Sequence, residues 1–342
     1  MIPVFNGLSE NRLEAILSGI RSVKIALIGD LCLDIYWLAD MRRSELSRET
    51  PHFPLPVIEE RTSPGAGGNV AANVAALEPG RFTALGAIGD DWRGKLLMDA
   101  FTSRGIDRTH VITDRDRFTC AYCKPLKQGY SGIPAEDPRI DFENFTPLPA
   151  EAEDQLIAAL DEISPGIDAL CVSDQFRFGC ITPRVRERIN QLAESGLFVV
   201  VDSRDRIGEY RHAFLKPNEI ECANALGCEL PAGLQRAAEI TLLLAKRNHS
   251  CVAMTFGERG CVLCDGDTRA HVPTLPASPP IDTVGAGDCF LSAFTCALAA
   301  GASSPEAASF ANLAASVVIR KIGTTGTASS EEIRARYRET AR

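Results

Sequence analysis

The chain has 342 residues, of which 45% are apolar, and a formal net charge of −9. That length accommodates one large α/β domain or two smaller ones around a sizeable core, and the acidic balance excludes a nucleic-acid binder, which needs a basic face. No apolar run reaches the length of a membrane span, and the first residues lack a basic, apolar, small-residue signal pattern, so a cytoplasmic location is expected.

The twelve cysteines are scattered through apolar runs, as at Cys171, Cys251, Cys289 and Cys296, where a free thiol behaves as a small buried hydrophobe. Two Cys-x-x-Cys pairs, Cys120/Cys123 and Cys261/Cys264, fall in segments of strand character, where positions i and i+3 point to opposite faces. Neither has a His or a third ligand at zinc spacing, so no metal or redox role is expected of them.

Leu13, Ile16, Leu17 and Ile20 recur at helical spacing and predict a leading helix over 9–20. Residues 23–28 form a short apolar run ending in Gly29-Asp30, the pattern of a central parallel strand. Its exit carries Asp30 and Asp34 to the C-terminal edge of the expected sheet, where open α/β sheets bind ligands. Residues 40–63 are charged and Pro-rich, predicting an exposed strand over 54–60 outside the core. Gly65-Ala66-Gly67-Gly68-Asn69 then opens an Ala-rich helix. No apolar strand directly precedes these glycines and a third fingerprint Gly is missing, which disfavours a nicotinamide-dependent oxidoreductase. Residues 82–89 predict a strand and 92–104 a helix. From 113 to 144 the composition is again polar and turn-rich, with strands expected over 118–126 and 139–142. With 40–62 they would build a small β lid from two separate chain segments.

After Pro149 the alternation is regular: helix 150–163, strand 168–173, helix 183–195, strand 197–202, helices near 219–227 and 232–247, strand 251–256. Strands separated by helices imply parallel pairing with right-handed crossovers. Asp174, Asp202 and Asn218 each follow an apolar run and so gather along one sheet edge. Thr255-Phe-Gly257-Glu-Arg-Gly260 has the composition of a hairpin turn. Helix 305–321 follows Ser304, and a last helix opens at the capping box Ser329-x-x-Glu332.

The most informative stretch is 281–301, Ile-Asp-Thr-Val-Gly-Ala-Gly-Asp followed by small and apolar residues up to Gly301. It predicts a buried helix with Gly285, Ala286 and Gly287 at its entrance, where backbone N–H groups and the helix dipole favour an anion. Asp288 stands in the same first turn. Amides that hold developing negative charge, beside a carboxylate that takes a proton, are what phosphoryl transfer to an alcohol requires.

The run Asp282-Thr-x-Gly285-Ala286-Gly287-Asp288 resembles the C-terminal signature of the ribokinase-like (PfkB-type) sugar kinases, and Gly65 to Asn69 with Asn-x-Ala resembles their N-terminal signature. Asn218-x-x-Glu221 and Thr255-x-Gly257-x-x-Gly260 are similar to their phosphate and nucleotide motifs. The resemblance spans about 20–335 and implies one kinase domain over 1–342: a three-layer α/β/α fold with a mostly parallel sheet and a small β lid. It implies ATP and Mg²⁺ as cofactors. Asp288 is then the base, and the amides of Gly285 to Gly287 hold the transferring phosphoryl. Asp34, Gly65, Asn69 and Asp174 contact the sugar, while Asn218, Thr255, Gly257, Gly260 and Asn312 line the nucleotide site. Glu221 orders Mg²⁺ through water, and Asp282 helps a monovalent cation such as K⁺. Here Gly65-Ala66 stands where the family usually has Gly-Gly. Within the family the likeness is to heptose-7-phosphate kinases, through Gly29-Asp-x-x-x-Asp34-x-Tyr36, Arg139-Ile-Asp-Phe-Glu143 and Phe310-Ala-Asn312-x-Ala-Ala. Lids of such kinases often pair across a homodimer, so a dimer through 40–62 and 113–144 is expected. A non-catalytic sugar- or nucleotide-binding regulator on the same fold and a nucleoside kinase are the other readings.

Overall fold

Residues 2–340 are described by a computed structural model in which two sheets divide the work. The larger sheet is built from β1 (Lys24–Gly29), β4 (Arg81–Gly89), β5 (Asp107–Asp114), β9 (Ala169–Asp174), β10 (Val199–Ser203), β11 (Phe214–Leu215), β12 (Cys251–Thr255), β13 (Cys261–Asp265) and β14 (Thr268–Val272). Its order is β14-β13-β12-β11-β10-β9-β1-β4-β5, parallel except for the terminal β12–β13–β14 meander. The smaller sheet holds β2 (Leu31–Asp40), β3 (Val57–Ala66), β6 (Cys120–Gln128), β7 (Pro134–Glu136) and β8 (Ile140–Phe142).

Helices cover both faces of the large sheet, because its central strands are apolar on both sides. In β1, Ile25 and Leu27 enter one core while Ala26 and Ile28 enter the other, the period-two alternation of a strand buried twice. The first core is closed by α1 (Glu10–Ile20), α2 (Gly67–Ala76), α8 (Ala286–Ala299) and α9 (Ser304–Val318), with α10 (Ser330–Thr340) against α9 and α3 (Trp92–Ser103) at its margin. The second is closed by α4 (Ala150–Ile163), α5 (Pro183–Glu194), α6 (Glu219–Leu226) and α7 (Leu234–Asn248). This is the expected three-layer α/β/α arrangement with a small second sheet.

The passage between the sheets is abrupt. Only Asp30 separates β1 from β2, and it is clamped in the interior by the N–H groups of Gln175, Phe176 and Cys180 at 2.8, 2.7 and 2.7 Å. Asp30 is thus a structural pivot, and Asp34 belongs to the smaller sheet rather than to a loop at the edge of the large one. The sequence places Asp34 at the exit of β1 and starts the lid only at residue 40, with no strand assigned to 31–40. These residues instead form the centre of the smaller sheet, pairing with β3 and β6. A further correction concerns 113–114, which the polarity of 113–144 places in the lid; they end β5, the edge strand of the large sheet, where half-exposed strands tolerate polar residues. The two Cys-x-x-Cys pairs do lie in strands, β6 and β13, and every cysteine is free. No helix among the described residues is long and apolar enough to cross a membrane.

Candidate active site

The start of α8 is set by Gly285, its N-cap, at φ +80°, a left-handed value that favours glycine. A Cβ at this position would stand 2.8 Å from Asn69 Nδ2, so close approach requires glycine as much as conformation does. The Ala286 N–H is spent on the Thr283 carbonyl at 3.2 Å, which withdraws it from the expected anion hole. Among the described residues, no protein group accepts from the N–H of Gly285, Gly287 or Asp288. Three free donors at the positive end of a helix remain available to an anion.

Asp288 lies in that first turn, and its Oδ2 accepts from Asn69 Nδ2 at 2.8 Å. Burial pushes its carboxyl up to about 7; the Asn69 hydrogen bond opposes the shift and the Asp202 carboxylate adds to it. A carboxylate poised near neutrality suits a general base. The resemblance gave Asn69 a sugar hydroxyl, but its amide here holds Asp288.

Lys216 is a functional group that the sequence reading passed over. It is buried at the end of β11, ion-paired to Asp202 at 3.3 Å, and a Cβ on Gly287 would lie 3.8 Å from its Nζ. A cation thus sits directly beneath the amide-lined entrance of α8. Its signal was the placement of a lysine at the close of the apolar run Ala213-Phe-Leu-Lys216, immediately before Pro217-Asn218. Asn218 and Glu221 form a reciprocal capping box: Glu221 N–H donates to Asn218 Oδ1 and Asn218 N–H to Glu221 Oε2, both at 2.8 Å. Burial raises the pKa of Glu221, and the Asp202 charge raises it further.

Beside this cluster opens a cavity of about 730 Å³, within the size range of small-molecule sites. Asn218, Thr255, Gly257, Gly260, Ala286, Gly287 and Asn312 all line it, so residues far apart in sequence share one wall. Gly257 and Gly260 take φ +54° and +88°, which shapes the turn after β12. Asn312 donates to the carbonyls of Val272 and Pro273, both at 3.2 Å, and thereby fixes the segment that covers the cavity. Asp282 accepts from Val284 N–H and Gly323 N–H at 3.0 Å each and ties the loop before α8 to the loop after α9.

On the other side, the smaller sheet presents Asp34. Lys124 Nζ, two strand positions from the Asp34 partner Tyr122, reaches its Oδ2 at 2.9 Å. The other oxygen, Oδ1, is buried without a hydrogen-bond partner. Burial raises the Asp34 pKa, with the Lys124 charge opposing. Gly65, paired with Cys32 on the adjoining strand, is its diagonal neighbour, and a Cβ there would clash with that free oxygen. Next to Gly65, Ala66 adopts φ +46° and ψ −126°, a positive-φ conformation that a residue with a Cβ rarely takes. Asp174 does not join the site: it is fully buried and accepts from Ser203, Tyr210 and Arg206. A sheet-edge position suggested a sugar contact, but three internal donors claim its oxygens.

Comparison with known proteins identifies the family. The profile of the pfkB family carbohydrate kinases matches residues 24–331. The chain is 32% identical over 332 residues to the bifunctional protein HldE of Geotalea uraniireducens, covering 95% of this chain and 65% of the relative. It is 31% identical over 316 residues to the bifunctional protein HldE of Helicobacter pylori, covering 91% of this chain and 65% of the relative. The chain therefore spans about 65% of the length of these curated relatives. Similar solved structures include the ribokinase of Arabidopsis thaliana complexed with ribose and ATP, at TM-score 0.69 and 19% identity over 92% of this chain and 98% of that one. Escherichia coli phosphofructokinase-2 in complex with fructose-6-phosphate superposes at TM-score 0.71 and 21% identity, over 94% of this chain and 100% of that one. At these identities the structures establish the shared fold. Because the family profile runs through nearly the whole sequence, the chain belongs to the pfkB family of carbohydrate kinases, phosphotransferases with an alcohol group as acceptor.

Proposed function

We propose that this chain transfers the γ-phosphoryl group of ATP to a hydroxyl of a phosphorylated sugar, with Asp288 as the base. The observation that carries this reading is Asp288 itself, near-neutral in affinity for protons and set among free amides at the start of α8. The amides of Gly285, Gly287 and Asp288, with Lys216 beneath them, hold the charge of the transferring group. The cavity lined by Thr255, Gly257, Gly260 and Asn312 takes the nucleotide. Mg²⁺ would be carried mainly by the phosphates and water. Glu221 and Asp202, both raised by burial, offer carboxylates to that water shell. Asp282 is the residue proposed to support a monovalent cation.

The acceptor side favours a polar, anionic sugar. Asp34 Oδ1 needs a donor, and a sugar hydroxyl supplies one. Arg139, paired with Asp141 at 2.6 and 2.7 Å, lies 4.0 Å over the Tyr122 ring, and the exposed Arg204, which has no ion-pair partner among the described residues, sits close enough for Tyr122, Asp202 and Glu221 to feel its charge. Guanidinium groups at this rim suit a phosphate already on the acceptor. Release of ADP should therefore be faster with phosphorylated than with free sugars across a panel, and faster turnover of free sugars would remove the phosphate from this reading.

The smaller sheet is proposed to be a lid and a dimer face. The outer half of β3 is exposed, with Val57 and Ile58 among the apolar residues open to solvent. A sheet of this size cannot bury both faces by itself. Val57→Glu should weaken self-association and raise KM for the sugar more than for ATP. Sedimentation showing a monomer at micromolar concentration, with and without substrate, would rule the dimer out.

A further inference from the structure

Asn73 lies one turn after Asn69 on α2, and their i, i+4 spacing puts the two amides on one helix face. It is 2% exposed. Its Nδ2 donates to the Asn69 carbonyl at 2.9 Å, to Asn69 Oδ1 at 3.2 Å and, at 3.4 Å, to the carbonyl of Gly326. Asn69 Nδ2 in turn donates to Asp288 Oδ2 at 2.8 Å. The polarity of this chain follows from its last member. An ionised carboxylate only accepts, so Asn69 must turn its NH₂ to Asp288 and its carbonyl to Asn73. Asn73 must answer with its own NH₂, and the two backbone carbonyls around that nitrogen hold it there. Without Asn73 the Asn69 amide is free to reverse and offer its carbonyl to a protonated Asp288, favouring the form that cannot take a proton.

Packing alone does not account for this residue. Asn73 Oδ1 is buried without a partner, a cost that leucine of similar volume would avoid. The group that finds partners is the NH₂. Gly285 completes the arrangement, since the space beside Asn69 Nδ2 has no room for a Cβ and the amide is confined between Asn73 and Asp288.

We propose that Asn73 is a positioning residue for phosphoryl transfer: acting through Asn69, it holds an N–H on the Asp288 carboxylate and keeps that group in its proton-accepting form. The inference rests on Asp288 being the base. Asp202, Lys216 and Asp34 are the charged groups that face Asp288 from the surrounding elements, and a change at position 73 touches none of them.

The test is turnover against pH, at saturating ATP and acceptor, for wild type, Asn73→Leu, Asn69→Ala and the double variant. Losing the donor raises the base's pKa, so the acid limb of Asn73→Leu should move up by about one unit, a roughly tenfold loss on that limb. The alkaline plateau should stay within about twofold of wild type. Asn69→Ala should move the limb in the same direction, and adding Asn73→Leu should move it no further, as expected for residues acting in series. An unmoved limb in Asn73→Leu, or a loss equal at every pH together with a lower melting temperature, overturns the proposal. If Asn73→Leu does not melt cooperatively, Asn73→Ala, which suits a helix and has no side-chain donor, carries the same expectation and the same refutation. Normal turnover by Asp288→Asn marks the separate failure of the base assignment, and this proposal with it.

Discussion

Replacing Asp288 by Asn should lower turnover by roughly 10²–10⁴, the usual scale of a lost general base, while ATP affinity is largely kept. The substitution preserves the architecture. Gly285 and not Asp288 is the N-cap of α8, and an Asn carbonyl at 288 can still accept from Asn69 Nδ2. What disappears is the proton acceptor. The wild-type enzyme should show turnover rising with pH as Asp288 ionises around pH 7, and the variant should lose that limb. Stability should move the other way. A carboxyl whose folded pKa is raised stabilises the fold at low pH, and that contribution is lost as pH rises through about 7. At pH above that value the Asn variant should therefore melt higher than wild type, with no such gain near pH 4. Near-normal turnover, or a variant that is no more stable at alkaline pH, would remove Asp288 from its assigned role.

The second large effect is expected at Lys216. Lys216→Met keeps length and apolar stem but leaves Asp202 buried without its ion-pair partner, with Glu221 and Asp288 still nearby. Breaking a buried pair by removing one member costs about 3–5 kcal/mol, far more than an exposed pair. For a domain of this size that corresponds to a fall in melting temperature of about 4–7 °C. The penalty depends on pH in a definite direction. Asp202 already has a pKa raised by burial, with Lys216 opposing, so without Lys216 the folded state prefers the protonated acid still more. The variant should be least harmed below the unfolded carboxyl pKa, and the deficit should grow as pH rises through the raised one. Turnover should fall as well, because the cation under the Gly287 amide helps hold the transferring charge. Thermal melts near pH 5 and pH 8 check this, and an equal deficit at both would contradict the buried-pair account.

Much of the large sheet was legible in the chain because its strands are short apolar runs separated by helices of clear period. Leu13, Ile16, Leu17 and Ile20 mark α1, and all four are buried as their spacing requires. The local part of the site was legible for the same reason: Gly285 to Asp288 describe a loop, a helix start and a carboxylate within four consecutive residues. The smaller sheet was harder to read. In 31–40 the alternation of Leu31, Leu33 and Ile35 was present, but the Gly29-Asp30 before it has the composition of a turn, and the clamp that makes Asp30 a buried pivot comes from residues 175–180. Strand β5 is polar because it sits at an edge, and nothing local distinguishes that from a lid segment.

The sequence by itself determined that a helix begins behind Gly285-Ala286-Gly287 with a carboxylate in its first turn, since capping and dipole act over a few neighbouring residues. It also determined the alternation of elements that makes a parallel sheet, since burial on two faces imposes a continuous apolar run. Only the tertiary structure decided what each polar side chain meets. Asp174 and Asp34 both follow or adjoin apolar strands, yet one is consumed by Ser203, Tyr210 and Arg206 while the other keeps a free buried oxygen. Lys216 and Asn73 gain their meaning from Asp202 and, through Asn69, from Asp288, partners supplied by other strands and helices. Charge pairing and amide orientation depend on distances across the fold, and those distances are set by packing rather than by neighbours in the chain.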